Sequence, residues 1–141
     1  MRTNDLAASA MAGIMIKALF NHRFKKQRLM SISSSKNAGV LIVKPNGRLD
    51  THTSPEADAL IASAIEQGET RILVDFAVTD YISSAGLRVL LKATKQLKQA
   101  GGAFALCNAN EQIREVLEIS GFATIMHCYG NLEEAERMMA R

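Results

Sequence analysis

Two adjacent serines, Ser83 and Ser84, followed by Ala85 and Gly86, are the residues of this chain whose types and spacing best suit chemistry. They stand where an apolar, β-branched run, Ile72-Leu73-Val74, and its turn give way to a helical pattern of Leu87, Leu90, Leu91, Thr94 and Leu97. A change of period from strand to helix makes one of the pair an N-cap, whose hydroxyl accepts a hydrogen bond from an otherwise unpaired backbone N–H. Two other chemistries fit the same residues. In a nucleophile elbow, G-x-S-x-G, Gly86 supplies the second glycine, but Ile82 stands where the first belongs, and none of His22, His52 and His127 is placed as a base. In a phosphorylation site the hydroxyl gains about −1.5 to −2 charge. A helix start tolerates that charge through its free N–H groups and its dipole, whereas a partner packed on it would not.

The remaining reactive residue types point away from catalysis. Cys107 and Cys128 lie in apolar, strand-like runs with no C-x-x-C spacing and no neighbouring histidine pair. Buried free thiols in a reducing compartment are expected, not a disulfide or a metal site. There is no P-loop, no G-x-G-x-x-G and no plausible triad, so neither an enzyme nor a resident cofactor is expected.

The elements that must position Ser83 and Ser84 follow from pattern. Val40 to Val43 reads as a strand, Pro45-Asn46-Gly47 as a tight turn and Arg48-Leu49 as a second strand, together a hairpin. Ser54-Pro55-Glu56 marks a helix start with Ser54 as the cap; Leu60, Ile61, Ala64 and Ile65 form its buried face, and Gly68 ends it. The central strand and the serine-headed helix come next, and Gly101-Gly102 breaks the chain. Ala103 to Cys107 is a buried strand, and Asn108 or Asn110 caps a helix with Ile113, Val116 and Leu117 inward, stopped by Gly121. Ile125 to Cys128 is a last short strand, and Asn131 begins a final helix with Ala135, Met138 and Met139 on its apolar side. The order β-β-α-β-α-β-α-β-α builds a largely parallel sheet through right-handed crossovers, with the opening hairpin adding antiparallel pairing.

The net charge of +3 averages two unlike parts. Residues 1–36 carry seven Lys/Arg against one acid, and residues 37–141 carry ten against thirteen. The basic balance therefore says nothing of nucleic-acid binding by the folded part, and no basic patch interleaved with aromatics appears there. Within residues 1–36, Leu6 to Phe20 is mostly apolar but shorter than the ~20 residues that span a bilayer. A basic cluster follows from His22 to Arg28, and Ser31 to Asn37 reads as a polar linker. The charge order is the reverse of a secretory signal. The expectation is a mobile appendage that is dispensable for folding, or an initiator at Met30. A membrane-surface helix over residues 6–28 is the alternative.

The stretch D-Y-I-S-S-A-G-L-R-V-L-L, Asp80 to Leu91, resembles the motif of the STAS domain, in particular that of bacterial anti-sigma-factor antagonists, commonly D-S-S-G-L or D-S-T-G-L. Upstream, Gly47 to Thr53, G-R-L-D-T-H-T, resembles the family's G-x-L-D-x-x-T. Aligned on Gly86-Leu87, the family's phosphorylated serine falls on Ser84, with Ser83 as the alternative; Ser83 replaces the usual aspartate and Ala85 the second Ser/Thr. The resemblance implies a single STAS-like α/β domain over residues 37–141. Its sheet would be mixed, mostly parallel and of about five strands, packed with about four helices. It also implies a cytoplasmic, phosphorylation-controlled binding switch. The unphosphorylated domain would sequester an anti-sigma factor that is also a serine kinase, freeing a sigma factor, and a phosphatase would reset the switch. ATP and Mg²⁺ would belong to the kinase, and no direct nucleic-acid contact is implied. Asp50, Asp75, Ser83, Ser84 and Gly86 are the expected partner-binding residues. Asp75 and Asp80 lie close to Ser84 in sequence, and Asp50 could approach from the first loop. A phosphate beside these carboxylates would add repulsion inside an interface, where truncating one partner of a buried charge pair costs ~2–5 kcal/mol. The alternative is a STAS scaffold or regulatory subunit of a membrane transport complex, supported here only by the basic, partly apolar N-terminal segment.

Overall fold

In the computed structural model the described residues are 32–140. The N-terminal readings up to residue 31, including the membrane-surface helix over residues 6–28, lie outside them. The elements run β1 (Ile32–Asn37), β2 (Val40–Pro45), β3 (Gly47–Leu49), α1 (Ser54–Glu66), β4 (Arg71–Asp75), β5 (Thr79–Ile82), α2 (Ser84–Gln99), β6 (Ala103–Cys107), α3 (Glu111–Ile119), a short 3-10 turn (Phe122–Thr124), β7 (His127–Tyr129) and α4 (Leu132–Met139). Five strands form one sheet in the order β1-β2-β4-β6-β7. β1 is antiparallel to β2, and the other neighbours are parallel. This is the mixed, mostly parallel α/β sheet that the pattern predicts, with four α-helices among the described residues.

Alternation along the strands explains why they read as continuous apolar runs. Ile72 and Val74 point into one core with Val43, Phe104 and Leu106, where α1, α2 and α3 contribute Ile61, Leu90, Leu97, Ile113 and Leu117. Leu73 points the other way, joining Val40, Ile42, Ala105 and Cys107 beneath Ala135 and Met139 of α4. The sheet is thus covered on both faces, as a parallel sheet requires. Among the described residues no helix is long and apolar enough to cross a membrane.

Several expectations are corrected. Of the expected linker, Ile32–Asn37 is a strand: it pairs along its whole length with β2, and Ile32 is buried in the larger core. The domain therefore starts at least five residues before residue 37. The hairpin is β1-β2, closed by Ala38 and Gly39 with φ of 52° and 81°. Positive φ at both loop residues is the twist that a two-residue hairpin favours. Val40–Pro45 and Gly47–Leu49 do not pair with each other. β3 leaves the main sheet and pairs in parallel with β5, giving a separate two-stranded sheet. The Thr79 hydroxyl draws it there by donating to the Pro45 carbonyl at 2.6 Å, and Gly47 N–H donates to the Val78 carbonyl at 2.8 Å. The last strand is His127–Tyr129, two residues later than expected, because residues 122–124 turn first and leave Ile125 exposed. On α2 the buried residues are Gly86, Val89, Leu90, Ala93 and Leu97, so the inward stripe is rotated from the one through Leu87, Leu91 and Thr94. Met138 is half exposed, leaving Ala135 and Met139 as the buried side of α4. Cys128 is exposed, unlike the buried Cys107.

Candidate phosphorylation and partner-binding site

The small sheet brings two distant segments together. Arg48 and Leu49 lie beside Tyr81 and Ile82 in register, and the Leu49 carbonyl accepts from Ser83 N–H at 2.9 Å. The loop after Leu49 therefore sits against the start of α2. Gly86 makes this closeness possible: a Cβ there would lie 2.7 Å from the Leu49 carbonyl oxygen and 2.7 Å from Ile82. Only a residue without a side chain lets the first turn of α2 rest on that backbone. Gly86 is buried, and packing against Leu49 and Ile82 is enough to explain its place in the motif.

Ser83 is the N-cap, in extended conformation, and its hydroxyl accepts from Gly86 N–H at 3.5 Å. Aspartate, which the family commonly has at this position, and serine cap comparably well, so the exchange keeps the helix start. Ser84 is the first residue of α2 and is exposed, whereas Ser83 is half-buried. The first-turn N–H groups of Ser84 and Ala85 meet no acceptor among the described residues, as expected of a helix start. Ser84 thus combines an accessible hydroxyl with a surrounding that favours an anion.

Asp50 is the hub of the neighbouring loop. One carboxylate oxygen accepts from His52 N–H at 3.0 Å and Thr53 N–H at 3.2 Å; the other accepts from Arg48 Nε at 3.1 Å. Thr53 Oγ1 accepts from Asp50 N–H at 2.9 Å and donates to the Arg48 carbonyl at 2.8 Å. The aspartate and the threonine of the first motif thus hold each other. The hydrogen bond from Arg48, aided by those from the backbone, keeps the Asp50 carboxyl below its ordinary value of 3.8. Thr53, not Ser54, occupies the N-cap position of α1, and Ser54 is its buried first residue.

Asp75 does something different. It is 2% exposed, and its Oδ1 accepts from Ala77 N–H at 2.9 Å and Asn108 Nδ2 at 3.0 Å. It ties the ends of β4 and β6 together and leaves no face for a partner, so the contact expected there is withdrawn. Burial first, and then the nearby Asp75 carboxylate, push the Cys107 thiol up to about 12, far from a reactive thiolate. Among the described residues no group of three His, Cys, Asp or Glu is placed to hold a metal.

Two supports were not foreseen from sequence. Arg48 lies with its guanidinium 4.3 Å from the centre of the Tyr81 ring, clamping β3 to β5. Asn110 caps α3 by accepting from Ile113 N–H, while its amide donates to the carbonyls of Thr79 and Asp80 at 3.3 and 3.2 Å. The capping spacing of Asn110 is visible in sequence; its reach back to β5 is not.

Comparison with known proteins agrees with this geometry. Residues 31–135 match the family model of the STAS domain. Over 106 residues the chain is 39% identical to BtrV of Bordetella bronchiseptica, a protein named as an anti-sigma factor antagonist, covering 75% of this chain and 91% of that one. A crystal structure from Thermotoga maritima, of a protein also named as an anti-sigma factor antagonist, superposes with a TM-score of 0.75 at 23% identity, covering 78% and 95% of the two chains. The Bacillus cell-fate determinant SpoIIAA, solved in its phosphorylated form, has the same fold, with a TM-score of 0.63 at 24% identity over 77% and 99%.

Proposed function

Because the chain belongs to the STAS domain family, we propose that it is an anti-sigma factor antagonist, a protein-binding switch controlled by phosphorylation of Ser84. The observation that carries the reading is the exposed Ser84 hydroxyl at the open start of α2, directly after a cap supplied by Ser83. The names of the relatives support the function class, and the phosphorylated form of SpoIIAA supports the type of switch.

The mechanism follows from local physical chemistry. Unphosphorylated, the start of α2 and the adjoining Asp50 loop offer a surface to an anti-sigma factor that is also a serine kinase, and that factor is held away from its sigma factor. ATP and Mg²⁺ come with the kinase. Phosphate on Ser84 adds a dianion that the first turn accommodates, so the domain stays folded. The same charge enters the contact surface, where desolvation and repulsion loosen the complex. The loop that carries Asp50 adjoins the serines through the Leu49–Ser83 hydrogen bond, with the Asp50 carboxylate paired to Arg48. A phosphatase returns the serine to its free form. This chain holds and releases; it catalyses neither step.

The test uses the full chain and each purified ATP-binding anti-sigma factor of its host. Titration identifies the factor that binds. Incubation with that factor and Mg-ATP, followed by phosphopeptide mapping, is expected to find phosphate on Ser84 and loss of the complex. Phosphate on Ser83 with Ser84 unmodified contradicts the assignment, and a chain that binds no such factor contradicts the function.

A further inference from the structure

We infer that the exposed side of α2 running from Ser84 is a docking surface for an acidic face of the anti-sigma partner, an inference that rests on the functional reading above. α2 carries Arg88, Lys92, Lys95 and Lys98 and no acidic residue. Residues 37–141 hold ten Lys/Arg in all against thirteen acids, so four of the ten stand on one helix of an otherwise acidic domain. All four are exposed. Ser84, Arg88, Leu91 with Lys92, and Lys95 recur at helical spacing, so the basic ridge continues the stripe that starts at the serine.

The intramolecular energetics run against this pattern. Arg88 with Lys92, Lys92 with Lys95, and Lys95 with Lys98 are like charges three or four residues apart, an arrangement that weakens a helix. Arg88 also lies near the positive end of the helix dipole. Lys92 is offset by Asp58 of α1 at 3.2 Å, but among the described residues neither Arg88 nor Lys95 is in a salt bridge. A ridge that costs the free domain stability finds its complement outside it. A membrane is the poorer complement, because a helix that lies on lipid pairs its basic residues with exposed large apolar ones. Among the described residues the exposed large apolar ones are Val78, Ile119, Ile125 and Met138, none of them on α2. Nucleic acid is the poorer complement too, since α2 has no aromatic residue for stacking and the rest of the domain is acidic.

The ridge gives phosphorylation a second effect. A phosphate on Ser84 stands one turn from Arg88 and pairs with it, withdrawing basic charge from the ridge while adding negative charge at its end. An acidic partner loses on both counts.

The test is a titration of the full chain against the anti-sigma factor identified above, with wild type, Arg88→Glu/Lys95→Glu and Arg88→Gln/Lys95→Gln, each checked by thermal melting. The charge reversal is expected to weaken binding at least about tenfold, and the neutral variant less, since like charges across an interface are strongly unfavourable. The difference should shrink at high salt, as exposed charges are screened. A wild type that binds while both variants bind within twofold of it overturns the inference alone. A wild type that binds no anti-sigma factor overturns the functional reading and this inference with it. Vesicles containing phosphatidylglycerol and duplex DNA are run in parallel. If either binds the wild type and is lost in the charge reversal while the anti-sigma factor is not, the ridge serves that surface instead and the inference falls.

Discussion

Helices α1 and α2 each follow a strand of the same two-stranded sheet, α1 after β3 and α2 after β5. Their first turns are finished in opposite ways. At α1, Ser54 N–H donates to the Asp50 carbonyl, Ala57 N–H to the Thr53 carbonyl, and Pro55 has no N–H to offer. The Asp50 carboxylate takes the N–H groups of His52 and Thr53, and Ser54 is buried. At α2, one serine caps with a long hydrogen bond of 3.5 Å and the next stands in solvent. The first motif builds a sealed helix start and the second an open one. A modification can enter only where the backbone donors are not already spent and the side chain is not already buried, so the contrast singles out Ser84 over Ser54.

The sharpest way to break the arrangement is to push the two units apart. Gly86→Ala places a methyl group against the Leu49 carbonyl and Ile82. Overpacking of this kind costs about 1–3 kcal/mol, a fall of roughly 5–15 °C in thermal midpoint for a domain of this size, measurable by calorimetry. An unchanged midpoint would mean that the close approach of β3 to α2 is not what the glycine serves. Asp75→Ala should be next in effect. It leaves Ala77 N–H and the Asn108 amide without their acceptor in a buried place, at about 1–3 kcal/mol in denaturant unfolding. Because Asp75 is not at the surface, affinity for the anti-sigma partner should be retained once the variant is folded.

Smaller effects separate the two helix starts from each other. Ser83→Ala removes the cap of α2 and should cost about 0.5–1 kcal/mol, at the lower side of the capping range because its hydrogen bond is long. Ser84→Ala removes no hydrogen bond seen here and should leave stability unchanged. The reverse order in a thermal melt would assign the cap to Ser84. At the sealed start, Asp50 has its carboxyl lowered from 3.8 by Arg48. A carboxyl lowered by folding stabilises the fold above its unfolded value, and that contribution is lost as pH falls through the folded value. Wild type should therefore lose stability relative to Asp50→Asn as the pH is brought below 3.8, and the gap between the two should be constant at neutral pH. Urea unfolding across that range reads both.

Much of this was legible in the sequence, and the failures share a cause. β2, β4, β6 and the four helices announce themselves because Ile72-Leu73-Val74 and its like are buried on both faces and Asn110, Asn131 and Pro55 mark helix starts. β1 was hidden because it is an edge strand: only Ile32 is buried, and Ser34, Ser35 and Lys36 face solvent like a linker. Its turn was hidden because Ala38 takes the positive φ that an asparagine or glycine would advertise. The parallel pairing of β3 with β5 joins residues more than thirty apart, which no local pattern encodes. For the site, the serine pair and the Asp50 motif were visible, but which serine caps and which is exposed depends on where the helix begins, a one-residue question that periodicity does not resolve. Asp75 looked like a surface charge for the same reason: sequence places it at a strand end without showing that Asn108 folds over it.

The open start of α2 is tested most directly by the affinity of the full chain for the anti-sigma factor proposed above as its kinase, measured by titration for wild type, Ser84→Ala and Ser84→Asp. The account predicts that Ser84→Ala binds as tightly as wild type and is not released by Mg-ATP. Ser84→Asp should bind at least about tenfold more weakly, because it brings a charge into the contact surface. All three should melt within about 2 °C of one another, because the cap is Ser83 and an acid in the first turn suits the dipole. A Ser84→Asp chain that binds as tightly as wild type would contradict the account.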